Sequence, residues 1–405
     1  MRNKPVNPKD NKIVYFGGAK EETGMEKIRR FDRKKKFGRL YRILLSVVVV
    51  AALGLAYYIY VQTKTYSTYT IAGSVKHETL DATVTKTFGD SILTYSKDGA
   101  NAIDGSGNLL WNQTFDMQSP MIAKCDDTVA FADYGGNVIY VQKSSGEVGS
   151  VKTDMPIRKI ATSSKGYVAA VLEDTSVTWI YLYDLNGTTI AYFRTTMEKS
   201  GYPLTLDISP NGELVCVSYY YVDCDDVKSS VAFYNFGPVG QNNIDNYVSG
   251  YNYTNCLVPS VHFLNDETAI AVSNERISVY SGAHKPVSIS EMIVNDEIVS
   301  VYTAKDAFAV IYRDSDHSSK YRLELYDNKG QKKSEKEFDF DYSNVSLGNG
   351  MVMLYGDTNL YIGTYNGAPK YEGQYEKPVV LVLPTTVSNR FVCVTQDTID
   401  TVEFK

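Results

Sequence analysis

Beyond Lys64, short apolar runs rich in Val, Ile, Tyr and Thr alternate with turns rich in Gly, Asn, Asp and Ser. Closely and regularly spaced runs of this length predict β-strands in an all-β sandwich, barrel or propeller. No convincing helical periodicity interrupts them. The pattern repeats about every 40–45 residues, which favours a β-propeller with four strands in each blade.

Seven repeating units can be read directly from the sequence. They lie at residues 92–115, 128–151, 167–193, 213–237, 268–289, 307–338 and 350–375. An eighth unit, residues 378–404, contains only three strands, and we expect residues 66–87 to supply the fourth. A ring closed by strands from both ends leaves no unpaired sheet edge. The 344 residues from 62 to 405 give 43 residues to each of eight blades or 49 to each of seven, so we predict eight blades, with seven as the alternative.

One uncharged apolar run, ILLSVVVVAALGLAYYIYV at residues 43–61, precedes the repeats. As a helix it would span about 28 Å, close to the hydrocarbon thickness of a bilayer. Basic residues crowd its N-terminal side and tyrosines lie at both ends, which predicts a single transmembrane helix with the N-terminus in the cytoplasm and residues 62–405 outside. The alternatives are a buried core helix and a cleaved signal peptide. The 42 residues before the run and the lack of a nearby A-x-A site favour an uncleaved signal anchor in the cell membrane.

The charge of the chain is divided at this apolar run. Residues 1–42 carry fourteen Lys and Arg against five Asp and Glu, a net charge of +9, so the total of −6 leaves −15 for residues 43–405. The acidic bulk makes nucleic acid an unsuitable partner.

The basic tail, residues 1–42, is expected to be cytoplasmic and largely disordered. Within it, residues 25–40 place apolar side chains at roughly helical spacing among basic ones, which is typical of a helix on an anionic lipid surface. The same charges would also simply set the topology. The residues predicted at the membrane surface are Arg33, Lys34, Lys35 and Lys36.

The stretch AIDGSGNLLW, residues 102–111, is typical of a strand, a tight turn and a second strand. Gly105 and Gly107 would supply positive φ in the turn, and Asp104 would bond to the turn backbone. Trp111 would pack across the neighbouring blade. Related turns recur at residues 140–148, 183–190 and 326–331.

These units resemble the blades of quinoprotein-like propellers, and DISPNGEL, residues 207–214, resembles a turn common in WD40-like propellers. The order of basic tail, single anchor and propeller looks like an uncharacterised family of membrane-anchored bacterial propellers. The resemblance covers residues 62–405 and implies their fold. Quinone-dependent members of the superfamily usually bind the cofactor with adjacent cysteines. The sequence has no such pair, so we predict no cofactor.

Motifs for catalysis or metal binding are weak in this sequence. The four histidines are isolated, and neither G-x-S-x-G nor H-E-x-x-H occurs. DSDHSSKYRLEL, residues 314–325, begins like a calcium loop but lacks the Gly and Glu that such a loop needs. VDCDD, residues 222–226, is predicted to be a solvated turn, with a weak calcium site as the alternative. We therefore assign no catalytic residue and no metal ligand.

The five cysteines do not form a disulfide scaffold, because an odd count leaves at least one thiol free. Cys216 and Cys393 lie in strand-like runs and are expected to be buried as small hydrophobic side chains. Cys224 and Cys256 lie in polar, turn-rich sequence and could pair.

Tyrosine is unusually abundant: 28 of the 33 tyrosines follow residue 62. Most lie at strand positions, where they are expected to pack between blades. Two clusters, residues 218–223 and 245–255, lie in the most loop-rich unit and are candidate contact surfaces for a protein or a glycan. The predicted partner-binding residues are Tyr219, Tyr220, Tyr221, Tyr247, Tyr251 and Tyr253.

The sequence therefore predicts a non-catalytic, membrane-anchored propeller on the cell surface that acts as a scaffold for a protein or cell-envelope glycan. One alternative is an extracytoplasmic enzyme that acts on an envelope glycan through the central channel, and another is a transmembrane sensor. Acidic or histidine side chains that converge on the channel would favour catalysis. A channel lined by small, apolar groups would argue against it.

Overall fold

The computed structural model describes residues 24–77, 83–175, 177–195, 200–223, 226–313 and 319–405. The chain divides into two compact units between Gln62 and Thr63. Helix α1, Gly24–Thr63, is one continuous α-helix of 40 residues. Its segment Tyr41–Tyr60 is long and apolar enough to cross a membrane, and none of it is buried against the rest of the protein.

Helix α1 includes both the predicted spanning run and the basic stretch before it, which contains residues 25–40 with their roughly helical spacing. The disorder predicted for residues 1–23 lies outside the described residues. The first strand of the second unit, β1 (Tyr69–Lys76), follows the helix after a short connection and belongs to the last blade of the ring.

Eight four-stranded antiparallel sheets form the second unit. Blade 1 comprises β2 (Val84–Phe88), β3 (Ser91–Tyr95), β4 (Gly99–Ile103) and β5 (Leu109–Thr114). Blade 2 comprises β6 (Pro120–Cys125), β7 (Thr128–Asp133), β8 (Val138–Lys143) and β9 (Val148–Lys152). Blade 3 comprises β10 (Ile157–Thr162), β11 (Val168–Asp174), β12 (Val177–Tyr183) and β13 (Thr189–Thr195).

The next two blades continue the same order. Blade 4 comprises β14 (Tyr202–Ile208), β15 (Leu214–Asp223), β16 (Asp226–Asn235) and β17 (Tyr247–Thr254). Two short 3₁₀ helices, Gly240–Asn242 and Ile244–Asn246, lie between β16 and β17. Blade 5 comprises β18 (Ser260–Phe263), β19 (Thr268–Val272), β20 (Arg276–Ser281) and β21 (Val287–Ile293).

The last three blades complete the ring. Blade 6 comprises β22 (Ile298–Thr303), β23 (Ala307–Arg313), β24 (Tyr321–Asp327) and β25 (Lys332–Phe338). Blade 7 comprises β26 (Asn344–Gly348), β27 (Met351–Gly356), β28 (Asn359–Thr364) and β29 (Pro369–Gln374). Blade 8 comprises β30 (Val379–Pro384), β31 (Arg390–Thr395), β32 (Thr398–Phe404) and β1. The predicted eight-bladed propeller is confirmed, and the seven-bladed alternative is wrong.

The strands of each blade are named A to D from the centre outwards. First strands of neighbouring blades contact one another, as β10 contacts β14 and β2 contacts β30, so the A strands line the centre of the ring. The turns between strands A and B lie at one end of the ring, the AB end, and the turns between strands B and C lie at the other, the BC end. Strands B are the most completely buried, since each packs between two other blades; β19 and β27 are buried along their whole length.

The ring closes in blade 8, as the three-stranded last repeat predicts. Strand β1 pairs with β32 in antiparallel register, with Tyr69 opposite Phe404 and Ser74 opposite Asp400. The Tyr69 ring stacks on Tyr375 at 5.1 Å, and the Ser74 hydroxyl donates to the buried Asp400 carboxylate at 2.5 Å. The two ends of the propeller are therefore joined by both a strand ladder and a packed core.

The repeated turn between strands C and D is closed by a carboxylate. Asp104 accepts hydrogen bonds from the backbone N–H of Ser106 and of Asn108, both at 2.8 Å. Gly107 has a φ of 82°, whereas Gly105 does not adopt positive φ, so only one of the two predicted glycines serves this purpose. The same arrangement of two backbone N–H groups on one carboxylate oxygen recurs at Asp184 and Asp327.

Trp111 lies in a core that blade 1 shares with blade 2, which includes Phe131. Its own ring contact, however, is within its blade: it meets Phe88 edge-on, with 5.8 Å between ring centroids. The small side chain of Ala102, directly opposite Trp111 in the sheet, gives the indole room to lie over the blade. The motif is thus an architectural corner.

Candidate functional site

The end of the central channel at the AB side is a cavity of about 530 Å³. It is lined where six A strands end, in blades 1, 2, 4, 5, 6 and 7. The lining combines charged and polar groups with apolar ones such as Phe263 and Leu347. Because the A strands run in the same direction around the ring, their last residues converge here although they are far apart in the sequence.

Asp207, near the end of β14, is the acidic group most enclosed by this cavity. Its carboxylate accepts the backbone N–H of Phe263 at 2.7 Å and that of Ile208 at 2.9 Å. Desolvation outweighs these two hydrogen bonds and raises the pKa of the Asp207 carboxyl to about 7. The group therefore titrates near neutral pH, as a proton donor or acceptor would need to.

Lys124, near the end of β6, supplies a positive charge to the cavity. Its ammonium donates to the carbonyl oxygen and to the hydroxyl of Thr87, each at 2.7 Å. Water reaches the side chain from the cavity, yet the protein around it and repulsion from Lys86 lower the pKa of Lys124 to about 8. Lys124 and Asp207 therefore line the same cavity, and the pKa of each is shifted towards neutral pH.

Cys125 also lines the cavity but is not an activated nucleophile. Burial and the carboxylates of Asp126 and Asp207 raise the pKa of its thiol to about 12. A thiol that stays protonated at neutral pH reacts slowly, since the thiolate is the nucleophile.

An ion pair spans the cavity mouth. The Lys305 ammonium lies 3.1 Å from the Asp126 carboxylate. Lys305 belongs to blade 6 and Asp126 to blade 2, so the pair joins opposite sides of an eight-bladed ring. Lys305 is 72% exposed, and an exposed pair of this kind contributes little stability, so it can open without a large cost.

The BC end carries a different surface, made of aromatic and charged side chains from blades 2, 3 and 4. The Arg158 guanidinium lies 4.9 Å from the centre of the exposed Tyr134 ring and is paired with Glu173. Tyr202 packs against Tyr220, with 5.7 Å between ring centroids. We call this set, together with the adjoining hairpin described next, the BC surface.

The hairpin of β15 and β16 projects from the BC surface. Its two strands have ten residues each. The neighbouring strand A begins at Tyr202, which pairs with Tyr220 of β15, so the hairpin continues beyond the end of strand A. Val222 and Val227 lie beyond that point and are 60% and 45% exposed. The tip, residues 224 and 225, lies outside the described residues. Apolar side chains on a projecting hairpin are typical of a partner contact.

The structure separates the six tyrosines that the sequence groups together. Tyr219 is buried and hydrogen-bonded to Tyr234, and Tyr253 is buried against Tyr280 and Ser278. These two are core residues in the structure and are closed to a partner.

The other four predicted tyrosines reach solvent at different places. Tyr220 and Tyr221 lie on the BC surface. Tyr247 is exposed at the opposite end of blade 4, and the Tyr251 hydroxyl donates to the Pro286 carbonyl oxygen of blade 5 at 3.0 Å. They do not form one patch.

The structure describes some of the other residues predicted from the sequence and not others. The side chains of Arg33, Lys34, Lys35 and Lys36 lie outside the described residues. Cys216 and Cys393 are buried free thiols, as expected, and so is Cys256. Its candidate disulfide partner, Cys224, lies outside the described residues. No group of three or more His, Cys, Asp or Glu side chains could hold a metal ion within the part of the chain that the structure describes.

The fold and the channel define an eight-bladed β-propeller with a charged cavity at one end of its channel. The chain belongs to the DUF5711 family, a family of unknown function, whose sequence profile matches residues 62–404. The predicted resemblance to an uncharacterised family of propellers is thereby confirmed. No curated protein sequence matches the chain significantly.

The chain is similar to several solved structures. Apo AztD from Citrobacter koseri has a TM-score of 0.50 at 10% identity, over 75% of this chain and 92% of that one. The Dos1 propeller has a TM-score of 0.49 at 12% identity, over 83% and 95%. BamB from Moraxella catarrhalis has a TM-score of 0.47 at 11% identity, over 83% and 100%. At these identities the likeness extends to the fold alone.

Proposed function

We propose that the protein is a non-catalytic scaffold, anchored in the cell membrane by α1, that binds a partner outside the cell through the BC surface. The observation that carries this proposal is the β15–β16 hairpin, which extends beyond its blade and exposes Val222 and Val227. A solvent-exposed apolar hairpin has no evident structural use, but a partner that covered it would gain hydrophobic stabilisation.

The anchoring part of the proposal is supported by the apolar segment Tyr41–Tyr60 and by the excess of basic residues before it. The positive-inside rule then puts the propeller outside the cytoplasm. Protease treatment of intact cells should degrade the propeller and spare the N-terminal tail. Protection of the propeller would contradict this topology.

A protein is the partner that the BC surface fits best. Tyr and Arg are the residue types enriched at the energetic centres of protein interfaces, and Tyr134, Arg158, Tyr202 and Tyr220 supply them next to the apolar hairpin. A cell-envelope glycan is the alternative partner, because exposed tyrosine rings also offer flat amphipathic faces.

The test is photocrosslinking on intact cells with a photoreactive residue at Val222. The matched control is Leu109, an equally apolar and 64% exposed position on the outer strand of blade 1. We expect a discrete crosslinked protein from position 222 and none from position 109. The same products from both positions, or none from either, would overturn the proposed binding surface. An added mass that glycosidase removes from the crosslinked product would assign a glycan.

A second candidate function is catalysis in the channel, and Asp207 is the observation that favours it. A carboxyl group with a pKa near 7 suits a general acid or base. If the propeller hydrolyses an envelope glycan there, purified protein should release soluble fragments from cell walls, and Asp207→Asn should abolish the release. No release by the wild type rejects this candidate.

A further inference from the structure

Two lysines near the AB cavity, Lys86 and Lys124, have no acidic partner among the described residues, unlike Lys305. Two N–H donors of the Lys124 ammonium are taken by Thr87, and an ammonium group has three. Lys86, on the adjacent A strand, acts electrostatically on Lys124 and forms no side-chain hydrogen bond or ion pair with any residue that the structure describes. Two like charges held together in partly desolvated surroundings are unfavourable unless something neutralises them.

Of the three carboxylates that line the cavity, Asp126 and Asp207 are engaged elsewhere, and Asp306 forms no ion pair with Lys124 in the part of the chain that the structure describes. Asp126 is paired with Lys305 across the mouth and acts on Lys124 only at longer range. The Asp207 carboxylate accepts hydrogen bonds from the backbone N–H groups of Ile208 and Phe263. The protein therefore leaves Lys124 with a free donor and no counter-ion among the described residues.

The size of the cavity indicates what could supply the counter-ion. Its volume of about 530 Å³ is within the range of roughly 300–1,000 Å³ typical of small-molecule sites. A bare inorganic ion would fill little of this space. Apolar groups such as Phe263, Leu264 and Leu347 share the lining with polar ones, which suits an organic body attached to a charged group.

We propose that the AB cavity binds a small organic anion, whose carboxylate or phosphate group is bound by the ammonium of Lys124 and the hydroxyl of Thr87. Lys86 adds positive charge behind them. The body of the ligand lies against Phe263 and Leu264, beneath the Lys305–Asp126 pair. That exposed pair opens to admit the ligand and closes over it. The site is at the opposite end of the ring from the BC surface, so it stands or fails independently of the proposed scaffold function.

The experiment uses the full-length protein in detergent micelles, with inorganic phosphate and malonate as separate probes. Thermal unfolding and calorimetric titration are compared with sodium chloride at equal ionic strength. We expect at least one probe to bind and to raise Tm above the chloride control. A response to phosphate assigns a phosphorylated ligand, and a response to malonate assigns a carboxylate. If neither probe exceeds chloride, the site is rejected.

Variants locate the binding. Lys124→Met should lower the affinity for whichever probe binds by roughly tenfold or more, since a charged hydrogen bond is lost. Lys152→Met, which removes an exposed lysine on the outer strand of blade 2, is the matched control and should leave the affinity within about threefold. Equal losses in both variants would show general charge attraction and would overturn the site.

A second measurement covers the case in which Lys124→Met fails to fold. With ¹³C-methylated lysines in the wild-type protein, the Lys124 resonance should titrate near pH 8 without a probe and at higher pH with it. Thr87→Val should reduce this shift, because the anion loses one of its two hydrogen-bond donors. A Lys124 titration that the probe does not move would contradict the proposal.

Discussion

Blades 8 and 4 use the same four-stranded sheet for opposite purposes. Blade 8 joins the two ends of the propeller, and the contacts that do so lie inside: Tyr69 stacks on Tyr375, and Ser74 reaches the buried Asp400. Blade 4 has the long hairpin, and its additional residues lie outside, with Val222 exposed. The comparison teaches that closure is carried by buried contacts, whereas surplus strand length is available to a partner.

The largest effect should come from the core of blade 8. Phe404 is 1% exposed and contacts the rings of Tyr371 and Phe391. Phe404→Ala should lower the free energy of unfolding by about 3–5 kcal/mol, because it leaves a cavity beside the closing strand. Denaturant unfolding of the full-length protein in micelles measures this. The control, Val222→Ala, should change it by less than about 0.5 kcal/mol. Similar losses in both variants would break the comparison between the blades.

The closing strand could be predicted from the sequence, whereas the cavity could not. The last repeat has three strands, and residues 69–76 supply the missing one, so simple counting identifies β1. Lys124, Asp207 and Lys305 belong to blades 2, 4 and 6, and only the curvature of the ring brings them to one cavity. Each stands at or near the end of an A strand, which is a usable signal. Which of them face one another depends on the number of blades.

The predicted tyrosines lie in different surroundings for a related reason. Tyr219 and Tyr221 lie two residues apart in β15 and so point to the same face of the sheet. Tyr219 is covered by the neighbouring blade, while Tyr221 is beyond the last residue that strand A pairs with. Composition and strand alternation cannot distinguish them, because the length by which a hairpin exceeds its blade is set by tertiary structure.

A smaller effect is expected where blade 1 meets the closing strand. Gly107 has a φ of 82°, and a Cβ there would lie 3.0 Å from Val75 of β1. Gly107→Ala should destabilise the protein by about 1–2 kcal/mol, because alanine is strained in the left-handed region. Gly105→Ala is the matched control in the same turn and should cost less than about 0.5 kcal/mol. An equal decrease in Tm for the two variants would show that the positive φ at position 107 is not what makes its substitution unfavourable.

The stability of the protein should depend on pH through Asp207, which lies on the innermost strand of blade 4. The folded-state pKa of Asp207, about 7, is raised above its ordinary value, so its contribution to stability is present at low pH and is lost as pH rises through about 7. Asp207→Asn cannot ionise. Any effect of the amide itself on Tm is the same at every pH. The Tm of the variant minus that of the wild type should therefore increase from pH 5 to pH 8.5. The change should be modest, because water in the cavity screens the charge. A difference that does not vary with pH would contradict the raised pKa.

The smallest effect on stability should come from the hairpin of blade 4, where the effect on binding should be largest. Val222 and Val227 face each other across the hairpin and are both exposed, so Val222→Ser with Val227→Ser removes an apolar patch but no buried contact. The free energy of unfolding should change by less than about 0.5 kcal/mol. Capture of the partner, measured by crosslinking from Tyr220 on intact cells, should be lost. If the double variant still captures the partner, the binding surface does not include the hairpin. A large loss of stability would show that the hairpin is part of the core.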